Sequence, residues 1–390
     1  MSDDKKIHAR VAIACGGTGG HLFPGLAVAE ELRARGYRVS LLVSQKEIDR
    51  QAVATVANMD VLSLPAVGLT RGGELTFLRR FAQSYRASRK AFAADPPRAV
   101  LAMGGFTSAP PVLAGRRAGA QTFLHESNAV PGRANRWLSW VVKMAFIGFP
   151  SAAGRLHCRK IRVTGTPVRP RFEPRPAAEC RVALGLDPVQ PVVLVMGGSQ
   201  GASGINEMVL RSLPLLAQQG AGWQWLHLAG AADQEKVRAG YLALGLNAAV
   251  HPFFGAMELA LGAASAAVSR AGASSLAEIA AMRVPSLLVP YPAATDNHQL
   301  YNARAFSECG AALVLQQSEA TPEKFCSMLT ALVMNASGRT RMGSALGRWH
   351  SPEAAQEIAS MICDEMGRQG TVGRGASPFT ASDLMERRAG

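Results

Sequence analysis

Hydroxyl, carboxylate and amide side chains are concentrated between residues 268 and 304, in VSRAGASSLAEIAAMRVPSLLVPYPAATDNHQLYNAR. A buried strand is predicted to end near Ser269, and a tight turn and a helix that carries Glu278 follow it. The unpaired N–H groups and the positive dipole end of such a helix can bind a diphosphate. Glu278, one turn further along, is placed to accept hydrogen bonds from both hydroxyls of a ribose. The residues that offer their backbone to the diphosphate are Ala273, Ser274 and Ser275.

A second polar run follows the next predicted strand, which ends near Val289. Polar groups this dense at a strand's carboxyl end suit a ligand with several hydroxyls, such as a sugar. A capped, solvated loop is the alternative, because any doubly wound domain offers this geometry. The run consists of Asp296, Asn297, His298, Gln299 and Asn302.

A chain of 390 residues exceeds the size at which one hydrophobic core keeps growing, so two domains are expected. The start, MSDDKK, leads into no apolar stretch, and no run of 18 apolar residues occurs. Neither a signal peptide nor a membrane span is predicted. The cysteines form no C-x-x-C pair, the histidines form no H-x-x-x-H pair, and D-x-D is absent. These patterns favour a reducing cytoplasm and predict no disulfide framework, metal or other cofactor.

The excess of positive over negative charge lies entirely in the first half of the chain. Residues 1–168 contain 24 Lys and Arg against 10 Asp and Glu, whereas residues 169–390 contain 18 of each. A basic half suits nucleic acid, an anionic membrane or a polyanionic substrate. No nucleic-acid-binding motif accompanies the charge, so nucleic acid is not an expected partner.

A basic amphipathic helix is predicted from Glu74 to Phe92. It either packs on the sheet with a solvated cationic face or contacts an anionic membrane, where each cation contributes about 1 kcal/mol at best. The candidate membrane patch consists of Phe77, Phe81, Tyr85, Arg79, Arg80 and Arg86.

The chain opens with a predicted strand, Val11 to Cys15, then GGTGGH and a helix from about Pro24 to Arg35. The glycines allow a close approach to a phosphate, but a turn that only serves helix packing is the alternative. No Lys follows the glycines and the G-x-G-x-x-G spacing is not met, so a P-loop is excluded and dinucleotide binding is disfavoured. His21 closes the loop. A lone histidine is more often packed or capping, but an unperturbed imidazole also suits removal of a proton from a sugar hydroxyl.

Further loops are expected at the same edge of a parallel sheet. Gly104 to Pro110 follow the strand 99–103, and Glu126 follows the strand 122–125. A stiff, proline-rich linker at 165–176 marks the domain boundary. The pattern then restarts with the strand 192–196, the loop GGSQGASG and a helix.

Six segments resemble the MurG family of N-acetylglucosaminyltransferases, in the order of that family. They are GGTGGHLFPGLAVAEEL, MGGFTSAP, HESNAVPGRANRWL, VTGTPVR, GGSQGASGIN and RAGASSLAEIAA with VPYPAATDNHQLYNAR. The resemblance spans roughly Val11 to Ala312. It implies an α/β fold of the GT-B type, in which two Rossmann-like doubly wound domains face a central cleft.

The implied domains are an acceptor-binding, membrane-associating domain at 1–166 and a domain that binds the UDP-sugar donor at 167–350. A helix at 352–366 is expected to pack back on the first domain, and 367–390 is predicted to be a disordered tail.

The resemblance implies an inverting transfer of N-acetylglucosamine (GlcNAc) from UDP-GlcNAc to the C4 hydroxyl of the N-acetylmuramic acid (MurNAc) of lipid I, undecaprenyl-pyrophosphoryl-MurNAc-pentapeptide. The product is lipid II, made for peptidoglycan at the cytoplasmic face of the inner membrane by a peripheral enzyme. Cell-wall synthesis and division proteins are candidates for further partners.

The resemblance also implies roles for single residues. The candidate catalytic base is His21, with Glu126 in reserve. The donor site comprises Thr18, Gly19, Gly20, Asn128, Arg169, Ser199, Phe254, Ala273, Ser274, Ser275, Leu276, Ala277, Glu278 and Gln299. The acceptor site comprises Gly16, Gly17, Gly104, Gly105 and Phe106.

The sequence departs from the family pattern at two places. Phe106 stands where the family often has a tyrosine, and Gly255 and Ala256 replace the usual acidic residues after Phe254. The alternative functions are a UDP-GlcNAc 2-epimerase, which shares the fold but needs no lipid acceptor, and a non-catalytic UDP-sugar sensor. The basic first half and the HESNAVPG segment argue against both.

Overall fold

The computed structural model describes residues 9–17, 19–45, 59–65, 73–198, 202–219 and 222–372. Within these ranges the chain forms two separate parallel β-sheets. Thr18 and Ser199, both predicted at the donor site, lie outside the described residues, as does 373–390 of the predicted tail.

The first sheet contains seven strands in the described part of the chain, in the order β3-β2-β1-β4-β5-β6-β7. The near-continuous apolar runs of the central strands β1, β4, β5 and β6 suit strands that are covered on both faces. The strands are β1 (Arg10–Ala14), β2 (Arg38–Ser44), β3 (Asp60–Leu64), β4 (Ala99–Ala102), β5 (Gln121–Glu126), β6 (Met144–Ile147) and β7 (Ile161–Val163).

Helices cover both faces of this sheet, and each face has its own hydrophobic cluster. They are α1 (Gly19–Ala34), α2 (Glu74–Ala94), α3 (Ala109–Arg117) and α4 (Arg133–Leu138). A 3₁₀ helix at Pro150–Arg155 precedes β7.

The second sheet repeats the pattern with six described strands, in the order β10-β9-β8-β11-β12-β13. Its strands are β8 (Val192–Met196), β9 (Gln224–Leu228), β10 (Ala248–His251), β11 (Ala266–Ser269), β12 (Ser286–Leu288) and β13 (Leu313–Val314). In both sheets the strand order reverses beside the first strand of the domain, and the crevice at such a switch point is where open α/β sheets bind ligands.

The second domain's helices are α5 (Ala177–Ala183), α6 (Ser203–Gln218), α7 (Gln234–Leu242), α8 (Met257–Ala263), α9 (Ala273–Met282), α10 (His298–Glu308), α11 (Pro322–Met334) and α12 (Ala336–Gly347). Short 3₁₀ helices lie at Thr295–Asn297 and Gln317–Glu319.

The last helix, α13 (Ala354–Val372), packs on the first domain. Ile358, Ala359 and Ile362 join the hydrophobic cluster under α1. The Glu365 carboxylate, almost fully buried, accepts from Lys143 at 2.6 Å and from Lys160 at 3.0 Å. The helix therefore continues six residues into the range predicted as tail, and it ties the end of the described chain to the first sheet.

The predicted α/β class and two-domain GT-B architecture are confirmed. Details differ: α1 begins at Gly19, five residues before the predicted start, so that Pro24 lies inside the helix and His21 in its first turn. Strands β3, β6, β7 and β13 are short or partly exposed and were not predicted. The boundary at 166/167 stays a prediction.

None of the helices in the described ranges combines the length and the apolar character needed to cross a bilayer.

Candidate active site

A cavity of about 1290 Å³ lies between the two domains, at the carboxyl edges of both sheets. Most of the residues predicted for the donor and acceptor sites border it. These are Gly19, Gly20, His21, Gly104, Gly105, Phe106, Glu126, Asn128, Arg169, Phe254, Ala273, Ser274, Ser275, Glu278 and Gln299. Phe77 and Phe81, predicted for a membrane patch, also line the cavity.

Four predicted site residues that lie within the described ranges are not part of this lining. Gly16 packs against β2, because a Cβ there would lie 2.3 Å from the backbone N of Ser44. Gly17 has φ +114°, and a Cβ added to it would lie 3.7 Å from Cζ of the Phe106 ring. Leu276 is buried in the core of the second domain, and Ala277 is half-buried on the same helix.

His21 lies against the second glycine loop. A Cβ on Gly104 would come within 2.9 Å of His21 Cε1, and one on Gly105 within 3.1 Å of His21 Cδ2. Both glycines have positive φ, 108° and 74°, which a residue with a side chain rarely adopts. The loop after β4 therefore makes room for the imidazole at the cavity wall.

Glu126, the last residue of β5, is buried and holds the loop that follows it. Its Oε1 accepts from the backbone N of Asn128 at 2.9 Å and from Asn128 Nδ2 at 3.0 Å. Its Oε2 accepts from the backbone N of Gly132 and from Asn135 Nδ2, both at 2.9 Å. Four accepted hydrogen bonds suit a carboxylate that orders a loop better than one that receives a substrate proton.

The donor turn, the segment predicted to bind the donor diphosphate, is the N-terminus of α9. Gly272 caps the helix in an extended conformation, and the first helical hydrogen bond runs from Leu276 N to Gly272 O at 2.9 Å. The N–H groups of the residues between them lie at the end of the helix, with the cavity beyond. This is the arrangement that binds phosphate at helix N-termini.

Glu278 and Arg169 are two of the charged residues that line the cavity. Burial raises the pKa of Glu278 to about 7, although Arg169 and then Arg171 lower it. Burial likewise lowers the pKa of Arg169, which lies over the Phe23 ring at 4.7 Å. The buried Nε of Arg169 has no hydrogen-bond partner within the described ranges. Because buried polar groups normally have partners, this N–H group is suited to donate to an anionic ligand.

Gln299 connects two loops through its side-chain oxygen, which accepts hydrogen bonds from Tyr291 N at 3.0 Å and from Ala271 N at 3.2 Å. Its amide NH₂ group donates to no residue within the described ranges and faces the cavity side of the loops. Phe254 follows β10 and packs on His251, with ring centroids 5.2 Å apart. Gln299 and Phe254 border the cavity from the second domain.

Sequence reasoning missed the polar contacts that join the domains beside the cavity. Arg136 on α4 donates to Asp296 at 2.7 Å, and Arg133 lies 3.6 Å from the same carboxylate. Asp296 and the adjacent Asn297 hold φ near +50°, an unusual conformation for residues with side chains. Asn302 is buried at the same interface. The sequence placed these residues in a polar run but not opposite the first domain.

The predicted membrane patch divides into two parts. Its arginines, Arg79, Arg80 and Arg86, are exposed, but Phe81 and Tyr85 pack against the core of the first domain. The large apolar residues that point outward are Leu75 and Leu78 on α2, 84% and 60% exposed, and Trp137 and Trp140 on and after α4, 49% and 68% exposed.

Comparisons with known proteins agree with this architecture. The family model described as "Glycosyltransferase family 28 N-terminal domain" matches residues 11–147, and the corresponding C-terminal domain model matches residues 192–359. A protein from Anaeromyxobacter dehalogenans is 38% identical over 95% of each chain, and one from Myxococcus xanthus is 35% identical over 97% of this chain and 99% of its own. Both are named UDP-N-acetylglucosamine–N-acetylmuramyl-(pentapeptide) pyrophosphoryl-undecaprenol N-acetylglucosamine transferase.

Among solved structures, MurG of Acinetobacter baumannii superimposes with a TM-score of 0.73 and 28% identity, and the match covers 91% of this chain and 99% of that one. The sequence matches, the two domain models and the superposition lead to the same assignment. The chain belongs to glycosyltransferase family 28 and, within it, to the MurG group.

Proposed function

We propose that this protein transfers GlcNAc from UDP-GlcNAc to the C4 hydroxyl of the MurNAc of undecaprenyl-pyrophosphoryl-MurNAc-pentapeptide. The observation that carries the proposal is the cavity between the domains. A phosphate-binding helix start with Glu278 and Arg169 lies on one side of it, and His21 with a glycine loop lies on the other. The names of the two curated relatives support the same reaction.

The donor binds to the second domain. The Glu278 carboxylate accepts from the ribose hydroxyls, and the backbone of Phe254 contacts the uracil. The diphosphate lies at the N-terminus of α9, with Arg169 beside it. Ser199 and Thr18 complete this site in the proposal, together with Gly19 and Gly20. Gln299 and Asn128 bind hydroxyls of the sugar from opposite domains.

The reaction is a single displacement. His21 takes the proton of the acceptor C4 hydroxyl, and the oxygen attacks the anomeric carbon of GlcNAc. The bond from that carbon to the β-phosphate oxygen breaks, and UDP leaves with the electron pair. Attack from the face opposite the diphosphate inverts the anomeric configuration. The helix dipole of α9 and Arg169 stabilise the charge that develops on UDP.

The acceptor diphosphate is assigned to the first domain, between α1 and the Gly104–Gly105 loop. Phe106 has no hydroxyl, so it offers the acceptor an apolar ring and no hydrogen bond. Gly16 and Gly17 shape this loop from behind, since neither borders the cavity. The polyprenyl chain of such an acceptor resides in a membrane, so the protein is proposed to bind the cytoplasmic face of the inner membrane peripherally.

Exposed apolar residues and arginines on α2 and α4 support this membrane contact. Leu75 and Leu78 lie on the helix that carries Arg79 and Arg80, and Phe77 of that helix lines the cavity. A surface next to the acceptor side of the cavity is where a lipid-linked substrate has to arrive. Cell-wall synthesis and division proteins are proposed as further partners on the basis of the sequence resemblance alone.

The test is UDP release by the purified protein with UDP-GlcNAc and a short-chain lipid I analogue, in the presence of EDTA. We expect release that depends on the analogue. Release without the analogue indicates hydrolysis or an epimerase, and binding of UDP-GlcNAc without release indicates a sensor. The matched control is the Glu278→Ala variant, which should lose donor binding and release together.

A further inference from the structure

Asn302 is a fully buried amide at the interface between the two domains. It lies on α10 in the second domain and has no exposed surface. Its Oδ1 accepts from the backbone N of Ala129, in the first domain, at 2.8 Å. Its Nδ2 donates to Asn128 Oδ1, also in the first domain, at 3.0 Å and to the carbonyl oxygen of Ala271, in the second, at 3.1 Å.

These three bonds use both N–H groups of the amide and its oxygen. An aspartate has the same shape but no donor, so it would face the acceptor oxygens of Asn128 and Ala271 with a negative charge. A leucine of similar size would leave three buried polar groups without partners. The position therefore requires an amide, and the amide has to connect two loops on different domains.

One of these loops carries Asn128, which borders the cavity. Asn128 Nδ2 donates to Glu126, and Asn128 Oδ1 accepts from Asn302. The two contacts fix the rotation of the Asn128 amide and leave one N–H and one lone pair for a ligand. The other loop contains Ala271, directly before the donor turn that begins at Gly272.

We infer that Asn302 is a positioning residue for the sugar of the donor. It orients Asn128 toward the cavity and locks the first domain to the donor turn, although it does not border the cavity itself. The inference rests on the proposed donor site. It predicts that Asn302 affects recognition of the sugar through Asn128 and leaves recognition of the nucleotide unchanged.

The test is a double-mutant cycle on binding, measured by calorimetry with UDP and with UDP-GlcNAc. Asn302→Ala should keep the Kd for UDP within about twofold of the wild-type value. It should weaken binding of UDP-GlcNAc by about 5- to 10-fold, as expected for a lost hydrogen bond. Asn128→Ala should do the same. The double variant should bind UDP-GlcNAc at most about twofold more weakly than Asn128→Ala does, because the effects of coupled residues do not add.

Asn206 supplies the matched control. This buried amide also makes three contacts, with Ala229, Asp233 and His227, and all of them lie inside the second domain. Asn206→Ala should lower the melting temperature, affect UDP and UDP-GlcNAc equally, and add independently to Asn128→Ala. Should Asn302→Ala fail to fold, Asn302→Ser, which keeps a small polar side chain and adds no buried charge, replaces it, with the same selective loss expected.

Two results would overturn the inference: equal weakening of UDP and UDP-GlcNAc by the Asn302 variant, or effects of Asn302 and Asn128 that multiply in the double variant. Either would assign Asn302 to stability alone. The readout needs no acceptor, so it is separate from the proposed reaction. Absence of acceptor-dependent UDP release with an intact binding cycle would reject the transferase function and keep the role of Asn302.

Discussion

The side-chain oxygen of Gln299 accepts a hydrogen bond from the backbone N of Tyr291 at 3.0 Å. Because that oxygen also accepts from Ala271, the NH₂ group is what Gln299 can offer to a sugar. Gln299→Glu keeps both accepted bonds but exchanges the donor for an acceptor oxygen. We expect UDP-GlcNAc binding to weaken by about 0.5–1.5 kcal/mol, with melting temperature unchanged.

Calorimetry with UDP distinguishes loss of the sugar contact from charge repulsion. The affinity for UDP should fall less than the affinity for UDP-GlcNAc, since UDP lacks the sugar. Equal weakening of the two would mean that the new carboxylate repels the diphosphate and that Gln299 does not bind the sugar. Gln190→Glu, at an exposed position away from the cavity, adds the same charge as a control.

Donor affinity should depend on pH through Glu278. Its pKa is raised to about 7, chiefly by burial, and the ionised form is the better acceptor for two ribose hydroxyls. UDP-GlcNAc binding should therefore release a proton below pH 7. Its affinity should fall as the pH is lowered from 8 to 6 and stay constant above about 8.

UDP-GlcNAc is the right probe, because its diphosphate is esterified at both ends and does not titrate in this range. Glu278→Gln should bind more weakly, with affinity independent of pH. A wild-type affinity that is flat between pH 6 and 8 would argue against Glu278 as the ribose acceptor.

Much of this site was predictable from the sequence because each half begins with strand, glycine loop and helix. The carboxyl ends of parallel strands share one edge, so His21, Glu126 and Glu278 were correctly expected near a cleft. The contacts of His21 were not predictable. They depend on two glycines with positive φ that lie more than 80 residues further along the chain.

The contacts between the domains could not be predicted from the sequence either, because they too join residues that are far apart in the chain. Asn302 and Asp296 belong to a polar run that reads equally well as a solvated loop. Only the relative placement of the two sheets brings Asn302 against Asn128, and Asp296 against Arg136. On α2, the basic amphipathic pattern predicted the helix, but packing on α3 decided that Phe81 faces inward and Leu78 outward.

Turnover should depend on His21 and on the space that Gly104 provides for it. As the proposed base, His21→Ala should lower kcat by about 10²- to 10⁴-fold and leave the Kd for UDP unchanged. Gly104→Ala should lower kcat in the same direction by a smaller factor, because a Cβ there would lie 2.9 Å from the imidazole.

Gly36→Ala controls for backbone strain in the Gly104 variant. Gly36 also has positive φ, 83°, but an added Cβ would meet no atom of the described residues within 4 Å. It should lose stability without losing turnover. Near-normal turnover of His21→Ala would exclude the imidazole as the base.

Glu126 should behave as a loop-ordering residue. Glu126→Gln replaces one carboxylate oxygen by an NH₂ group that faces donors, so the pair of bonds on that side is lost. We expect the free energy of unfolding to fall by about 1–3 kcal/mol, the cost of unsatisfied buried groups. Thermal and urea unfolding measure this, with the exposed Glu173→Gln as control. Unchanged stability with a large loss of kcat would instead favour Glu126 as the base.

Membrane binding should depend on the outward-facing leucines of α2 rather than on its half-buried aromatic residues. Burying Leu75 and Leu78 in a bilayer interface contributes up to about 1.5–3 kcal/mol each, and each arginine nearby about 1 kcal/mol. Leu75→Ser with Leu78→Ser should therefore weaken co-sedimentation with anionic vesicles at all salt concentrations. Charge removal at Arg79 and Arg80 should weaken it at low salt only.

Leu242→Ser provides the control, since this leucine is 78% exposed on the second domain. It should leave vesicle binding unchanged. Phe81→Ala should retain vesicle binding and raise the KM for a lipid-linked acceptor, because this ring lines the cavity. Vesicle binding that survives the two leucine changes and depends on Phe81 would move the membrane contact to the rim of the cavity itself.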